Sequence, residues 1–206
     1  MHSEFPDVPL HVLEALSSHP KTLPETLASL YAGAVGDYAH LKEMLLRNTT
    51  TPPHTLALGA RENDVNLRKL VASNKSAPEE VLWILAEDES ASVRKLLQQH
   101  QKMGIPIWVM MATADVNDDI RQVALSNLNM KPVTAFETEV TEGRLSLGLP
   151  LPHGKETITI GDALLAKDMA HIYQLIQSLE LQQEVVRRRT ESEMQETSLQ
   201  NRQPRL

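Results

Sequence analysis

The stretch NKSAPEEVLWILAEDESASVRKLLQQH, residues 74–100, decides the fold. Pro78 follows a small polar run, and proline suits the first turn of a helix because its missing N–H has no intrahelical partner to lose. Val81, Leu82 and Leu85 then recur at helical spacing. An acidic turn around Asp88 separates them from a second helical run, in which Val93 and Leu97 share one face and Arg94 stands beside them. The segment closes at His100. Two short helices joined by a turn therefore fit into 27 residues.

Working outward, the second half of this unit recurs. HLKEMLLRN ends at Asn48, NLRKLVASN at Asn74, SVRKLLQQH at His100 and DIRQVALSN at Asn127, at spacings of 26, 26 and 27 residues. Six positions before each end stands a basic residue, Lys42, Arg68, Arg94 or Arg121. Apolar partners flank it: Leu41, Leu67, Val93 and Ile120 before, then Leu45, Val71, Leu97 and Ala124 after. The first half recurs as well, opening at Pro24, Pro53, Pro78 and Pro106 and followed by Leu27, Leu56, Val81 and Val109. Asp37, Asp64, Asp88 and Asp115 or Asp118 lie between the halves, placed to cap the second helix. The terminal Asn or His is expected to take the left-handed or turn geometry that ends a helix without glycine.

Fixed-period self-similarity of this kind is the mark of a solenoid, in which each unit buries its apolar face only against its neighbours. The expected fold is all-α: a short right-handed α-solenoid of about four two-helix repeats over residues 1–135, with half-repeat caps at both ends. A C-terminal extension ending in a long helix follows. In the first half-unit, Leu10 to His19, Val12 and Leu16 take the buried face and Leu13 the position of the basic residue. A fifth unit starts at Asn127, keeps Pro132 and Ala135 in register, and loses the pattern at Phe136.

The Asn, Pro, Leu or Val, Asp and Val-Arg positions of residues 74–100, at Asn74, Pro78, Val81, Leu82, Leu85, Asp88, Val93 and Arg94, resemble the leucine-rich repeat variant family, an α-solenoid related in shape to HEAT and armadillo repeats. Residues 48–127 match well; residues 19–47 match loosely, with an insertion through Gly33 and Gly36. The resemblance implies a helical array built for contact. Members with an N-terminal iron–sulfur cluster need cysteines, and this chain has none, so the redox role does not carry over.

Residues 136–161 read as a loop or short hairpin linker, with Gly143, Gly148 and Gly154 marking turns and Leu145–Leu149 and Glu156–Ile160 as the strands. Residues 162–190 read as one long helix with Asp162 as N-cap. Its heptad seam runs through Leu165, Met169, Ile172, Ile176, Leu179 and Val186, interrupted at Gln183. This seam fits two coverings, the chain's own last repeat or a second copy, so a homodimer through the helix is one expectation. Residues 191–206 are polar without periodicity and read as disordered.

Composition narrows the chemistry. Of 206 residues, 20 are Lys or Arg and 27 are Asp or Glu, a net charge of −7 that argues against a polyanion binder acting over its whole surface. With no cysteine there is no disulfide, thiolate zinc site or cysteine nucleophile. No signal-peptide pattern opens the sequence and no apolar run is long enough to span a bilayer, so a cytoplasmic chain without membrane contact is expected. The histidines lack metal-ligand spacing, and neither a G-x-S-x-G elbow nor a phosphate-binding glycine loop occurs; the reading assigns no catalytic residue, no metal and no cofactor.

Three functions remain. First is a non-enzymatic protein-interaction scaffold or adaptor, with a protein partner. Second is nucleic-acid binding through a ladder of Lys42, Arg68, Lys69, Arg94, Lys95 and Arg121. Against it, acids stand upstream of the ladder, as in Asp64 with Arg68 and Asp88 with Arg94, so the same side chains read as structural ties. Third is a helical-repeat glycosylase-like enzyme using Asp115 or Asp118 beside Trp83 and Trp108.

Overall fold

A computed structural model of the chain describes residues 8–34, 38–153 and 156–200, and side chains outside 152–157 and 196–200. Gly36 and Asp37, Gly154 and the tail 201–206 lie outside the described residues, so the expectations placed on them stand apart. The fold is all-α but for one small hairpin among the described residues, and it divides into two compact units, Met1–Ile107 and Trp108–Leu206.

The first unit is the repeat array. A lone helix α1 (Leu10–Ser18) is followed by three helix pairs: α2 (Pro24–Gly33) with α3 (Leu41–Arg47), α4 (Pro53–Gly59) with α5 (Val65–Ser73), and α6 (Glu79–Ala86) with α7 (Ala91–Leu97). The second helices α1, α3, α5 and α7 pack on one another in order, and α4 packs on α6. Prolines sit in the first turn of α2 and α4 and at the N-cap of α6. Leu27, Leu41, Leu45, Leu56, Val71, Val93 and Leu97 are fully buried, each stabilising the stack by about 1.5 to 3 kcal/mol relative to exposure. At Gly59 an added Cβ would stand 2.5 Å from Leu46 Cδ2 and 2.9 Å from Val71 Cγ2, so the missing side chain is what lets α4 lie against its neighbours.

Details of this unit depart from the sequence expectations. In α1 Leu13 and Ser17 are buried, while Leu16, at the position Leu45 holds, is exposed. Helix α3, which carries Leu45, packs on the first helix of its own pair, α2, and no described helix precedes α1. Leu23 is likewise exposed, at 66%, whereas its counterparts Ala77 and Ile105 are buried at 0% and 3%. The helix ends at Asn48 and Asn74 are extended, with φ of −71° and −76° and ψ of 125° and 111°, not left-handed. Of the expected caps, Asp64 caps α5 by accepting from Asn66 N; the N-cap of α7 is Ser90.

Helix α8 (Ile105–Ala114) crosses the boundary between the units, and its residues Ile107 to Met111 are buried all round. The second unit continues with α9 (Asp118–Met130) and α10 (Val133–Thr141). Helix α9 is capped by Asn117 and runs past Asn127, whose amide bonds back to Val123 O within the helix. Helix α10 runs past Phe136, where the sequence pattern of the repeats ends, and buries Phe136 together with Val140. The strands are β1 (Pro150–His153) and β2 (Glu156–Thr159), antiparallel with Leu151 opposite Ile158. Residues 145–149 form a tied loop and not the expected first strand: Leu147 N donates to Glu180, while Gly161 N and Ile160 N donate to Leu147 O and Leu149 O.

The expected single helix over 162–190 is two. Helix α11 (Ile160–Ala166) starts at a capping box in which Thr159, not Asp162, is the N-cap and Asp162 answers from the third position. It ends where Asp168 takes a positive φ of 56° and Met169 N reaches back to Leu164 O, a left-handed helix stop. Helix α12 (Ala170–Gln200) then runs for 31 residues, about 46 Å at 1.5 Å per residue, and it includes residues 191–200 that were expected to be disordered. Both α10 and α11 pack on α12.

Candidate functional site

Two rungs of the basic ladder, Arg68 and Arg94, are buried in the stack. Arg68 is 6% exposed. Its Nε donates to Asp88 Oδ2 at 2.6 Å, Nη2 donates to Asp88 Oδ1 and Glu89 Oε1 at 3.1 Å each, and Nη1 donates to the backbone oxygens of Glu62 and Asn63 at 2.8 and 3.0 Å. A guanidinium has five N–H donors, and all five are engaged. The hydrogen bond to Asp88 is the main cause that holds the Arg68 pKa above its ordinary value.

A repeating node emerges from the other rungs. At Arg68 and Arg94 the acid six positions before the arginine uses its carboxylate for the base of the preceding repeat and its backbone oxygen for the base of its own. Glu62 takes Lys42 Nζ at 2.6 Å on Oε1 and Arg68 on its carbonyl. Asp88 takes Arg68 on its carboxylate and Arg94 Nη1 at 2.6 Å on its carbonyl. In the second unit, Arg121 Nη1 bonds Asp115 O at 2.5 Å and its Nη2 pairs with Asp118. The inter-repeat partner of Arg68 is thus Asp88, not Asp64, whose carboxylate is spent on the α5 cap. At the first rung, Tyr31 also donates to Glu62 Oε1 at 2.8 Å, and Lys42 lies 5.2 Å from the Tyr31 ring centroid. Burial raises the Glu62 pKa, but hydrogen bonds from Lys42 and Tyr31 outweigh it and leave the group below the ordinary range. Burial, and then the bond to Glu62, push the Tyr31 phenol up.

A second ladder escaped the sequence reading. Asn48 Nδ2 donates to Ser17 O and His19 O at 3.0 Å each; Asn74 Nδ2 donates to Leu46 O at 2.8 Å and Asn48 O at 3.0 Å; His100 Nε2 stands 3.0 Å from Asn74 O. The opposite side of each group accepts the backbone N–H two residues on, from Thr50, Ser76 and Lys102. Each rung therefore closes its own turn and satisfies the carbonyl of the rung before it. The amide of Asn has both a donor and an acceptor, and so does a neutral imidazole, which is why His100 can replace Asn. The sequence signal was the recurrence of Asn and His at 26-residue intervals.

The remaining ladder candidates face outward: Lys69 is half-buried and Lys95 exposed. Trp83 is half-buried in the first unit, and Trp108 is buried in the second with its Nε1 unpaired. Asp115 accepts Asn117 N at 2.8 Å. Among the described residues no group of three or more His, Asp or Glu side chains is placed to hold a metal ion, and no helix is long and apolar enough to cross a membrane.

The seam residues separate into two sets. Met169, Ile172, Ile176 and Leu179 are buried within the second unit, while Leu165 is 52% and Val186 64% exposed. The break at Asp168 takes Leu165 out of the α12 register, and Val186 lies beyond the elements that cover the seam. Leu181 and Val185 are also exposed, at 62% and 67%. Beside this half of α12 lies an open cleft of about 960 Å³ bordered by Val140, Leu147, Leu179, Glu137 and Val186. No family model, curated protein or solved structure matches the chain.

Proposed function

We propose that the chain is a non-enzymatic protein-interaction module, a scaffold or adaptor in which stacked repeats supply a rigid body and the distal half of α12 supplies a contact surface. The observation that carries this reading is the exposure of Leu181, Val185 and Val186 on a helix whose first half buries one face through Ile172, Ile176 and Leu179. Each such side chain left in water forgoes about 1.5 to 3 kcal/mol that covering it would return. The resemblance to leucine-rich repeat variant proteins supports the same class.

A photo-reactive residue replacing Val185 in the full chain, activated in the native cell, is expected to form a discrete adduct with a polypeptide. The adduct should disappear when Leu181 and Val186 are changed to Glu. Absence of any polypeptide adduct defeats the reading. Nucleic-acid binding is a second reading, favoured only by the outward placement of Lys69 and Lys95. It requires binding at low salt that weakens with a slope set by those two lysines, about −0.9 per phosphate contact on duplex DNA.

A further inference from the structure

Charge in the first unit is sorted by element. From Glu79 to Ser90, which covers α6 and the turn after it, there are five acidic residues and no base. From Val65 to Pro78 and from Ala91 to Gly104 there is no acid at all. These two acid-free stretches are α5 and α7 with the turns that close them, and the two helices pack side by side. Their arginines, Arg68 and Arg94, are buried and bonded inside the stack. Their lysines are the outward charges: Lys69 is half-buried, and Lys75, Lys95 and Lys102 are exposed. Among the described residues Lys69, Lys75 and Lys102 pair with no carboxylate.

Apolar groups share this surface. Leu70 and Leu96 stand two positions after Arg68 and Arg94, opposite the buried face of each helix, and both are only half-buried. Between α5 and α7 runs a small open cleft of about 160 Å³ lined by Ser73, Lys75, Leu96, Gln99 and Gln101 over the buried Ala72 and His100. Lys69 lies one helical turn before Ser73 on the α5 wall of the cleft.

Resting on the interaction reading above and adding a second surface to it, we propose that this face of α5 and α7 binds an acidic segment of a partner polypeptide, anchored by apolar side chains and laid in extended form across the two helices. Charge selects the sign of the occupant, since four lysines and no acid border its path. Spacing selects its form. Helices in contact lie about 8 to 10 Å apart, so Leu70 and Leu96 are separated by about one turn of a polyproline-II chain, three residues at about 3.1 Å each. Apolar residues at i and i+3 of such a chain fall on one side and cover both leucines, and acids between them meet Lys69 and Lys75. A nucleic acid would satisfy the lysines but leave the leucines uncovered, and neither stretch holds an aromatic residue on which a base could stack.

The test uses the full chain and a dye-labelled synthetic peptide in which leucine recurs every third residue with aspartates between, followed by fluorescence anisotropy at about 0.15 M salt. Saturable binding is expected in the micromolar range. Replacing the peptide's leucines by serine, or Leu96→Ser in the protein with unchanged circular dichroism, should weaken it by about tenfold or more. Lys69→Glu combined with Lys75→Glu should abolish it. Gln99→Lys, which adds a cation to the cleft wall, should tighten it by about two- to fivefold, an outcome that misfolding cannot produce. No binding of the leucine–aspartate peptide overturns the inference, as does binding indifferent to Leu96→Ser and Gln99→Lys. Equal affinity for the serine–aspartate peptide, or tighter binding of single-stranded DNA of the same charge, makes the face a general polyanion surface and overturns it too. The Val185 cross-link is scored separately. An adduct there without peptide binding here overturns this inference and leaves the interaction reading standing; peptide binding without an adduct supports this surface and defeats the one placed on α12.

Discussion

Arg68→Ala removes a side chain all five of whose N–H donors are engaged. The Asp88 side chain is 3% exposed and would lose both guanidinium bonds, and the backbone oxygens of Glu62 and Asn63 would lose their donor. Breaking a buried pair by removing one partner costs about 3 to 5 kcal/mol, because the surviving charge stays desolvated. For a chain of this size that corresponds to a fall in Tm of roughly 6 to 20 °C at about 2 to 4 °C per kcal/mol. Arg68→Lys should recover part of the loss, since an ammonium keeps the charge but has three donors and no planar fork. Asp88→Ala tests the other end, and the double variant should cost less than the sum of the singles by about 0.5 to 3 kcal/mol. Urea titrations followed by circular dichroism measure all four chains. A stability loss in Arg68→Ala below about 0.5 kcal/mol, the range of an ordinary surface substitution, refutes the tie and returns Arg68 to the pool of ligand-binding candidates.

Two further outcomes follow from the inter-repeat contacts. Asn74→Ala should destabilise by about 1 to 3 kcal/mol, since it removes the side-chain donor to the buried Leu46 carbonyl and one of the two donors to the Asn48 carbonyl, whereas His100→Asn should be tolerated better than His100→Ala in the same melts. Glu62 has a folded pKa held below its unfolded value by Lys42 and Tyr31, so its contribution is present above the ordinary glutamate value of about 4.3 and is lost as pH falls through the folded one. Stability measured against pH should thus decline on the acid side with a component that Glu62→Gln removes; identical acid profiles for the two chains would show that this contact carries no linkage.

The array was legible because its period is written in residue types that admit few alternatives: proline at each first helix, paired apolar positions on each second helix, and a base at a constant offset. What stayed hidden was which acid meets which base. Asp64 and Arg68 look like neighbours along one helix, and a four-residue spacing invites that pairing. Yet Asp64 sits at the N-cap, where its carboxylate is consumed by Asn66 N, and the guanidinium turns instead across the repeat interface to Asp88. The offset of six shared by Glu62, Asp88 and Asp115 was present in the sequence. Its meaning depends on a stacking distance that only three dimensions supply.

The C-terminal helix failed in the opposite sense, because a correct period was extended over a break that no glycine or proline announces. Leu165 fits the alternation with Met169, but between them Asp168 adopts a left-handed conformation, one of the few that a short polar side chain tolerates without glycine. The stop also lets Met169 N bond Leu164 O and Asp168 N bond Leu165 O, so these carbonyls at the end of α11 are partnered and α12 begins as a separate helix. Beyond Arg189 the reverse holds at the start of the polar stretch that reads as disorder, where Glu191 and Glu193 pair with Arg187 and Arg189 four residues before them, a spacing that supports a helix without any buried face. Periodicity of apolar residues reports where a helix is covered; it does not report where a helix stops. The covered part of α12 ends near Leu179 and the helix itself runs on to Gln200, and it is in that interval, helical but uncovered, that a contact surface can exist.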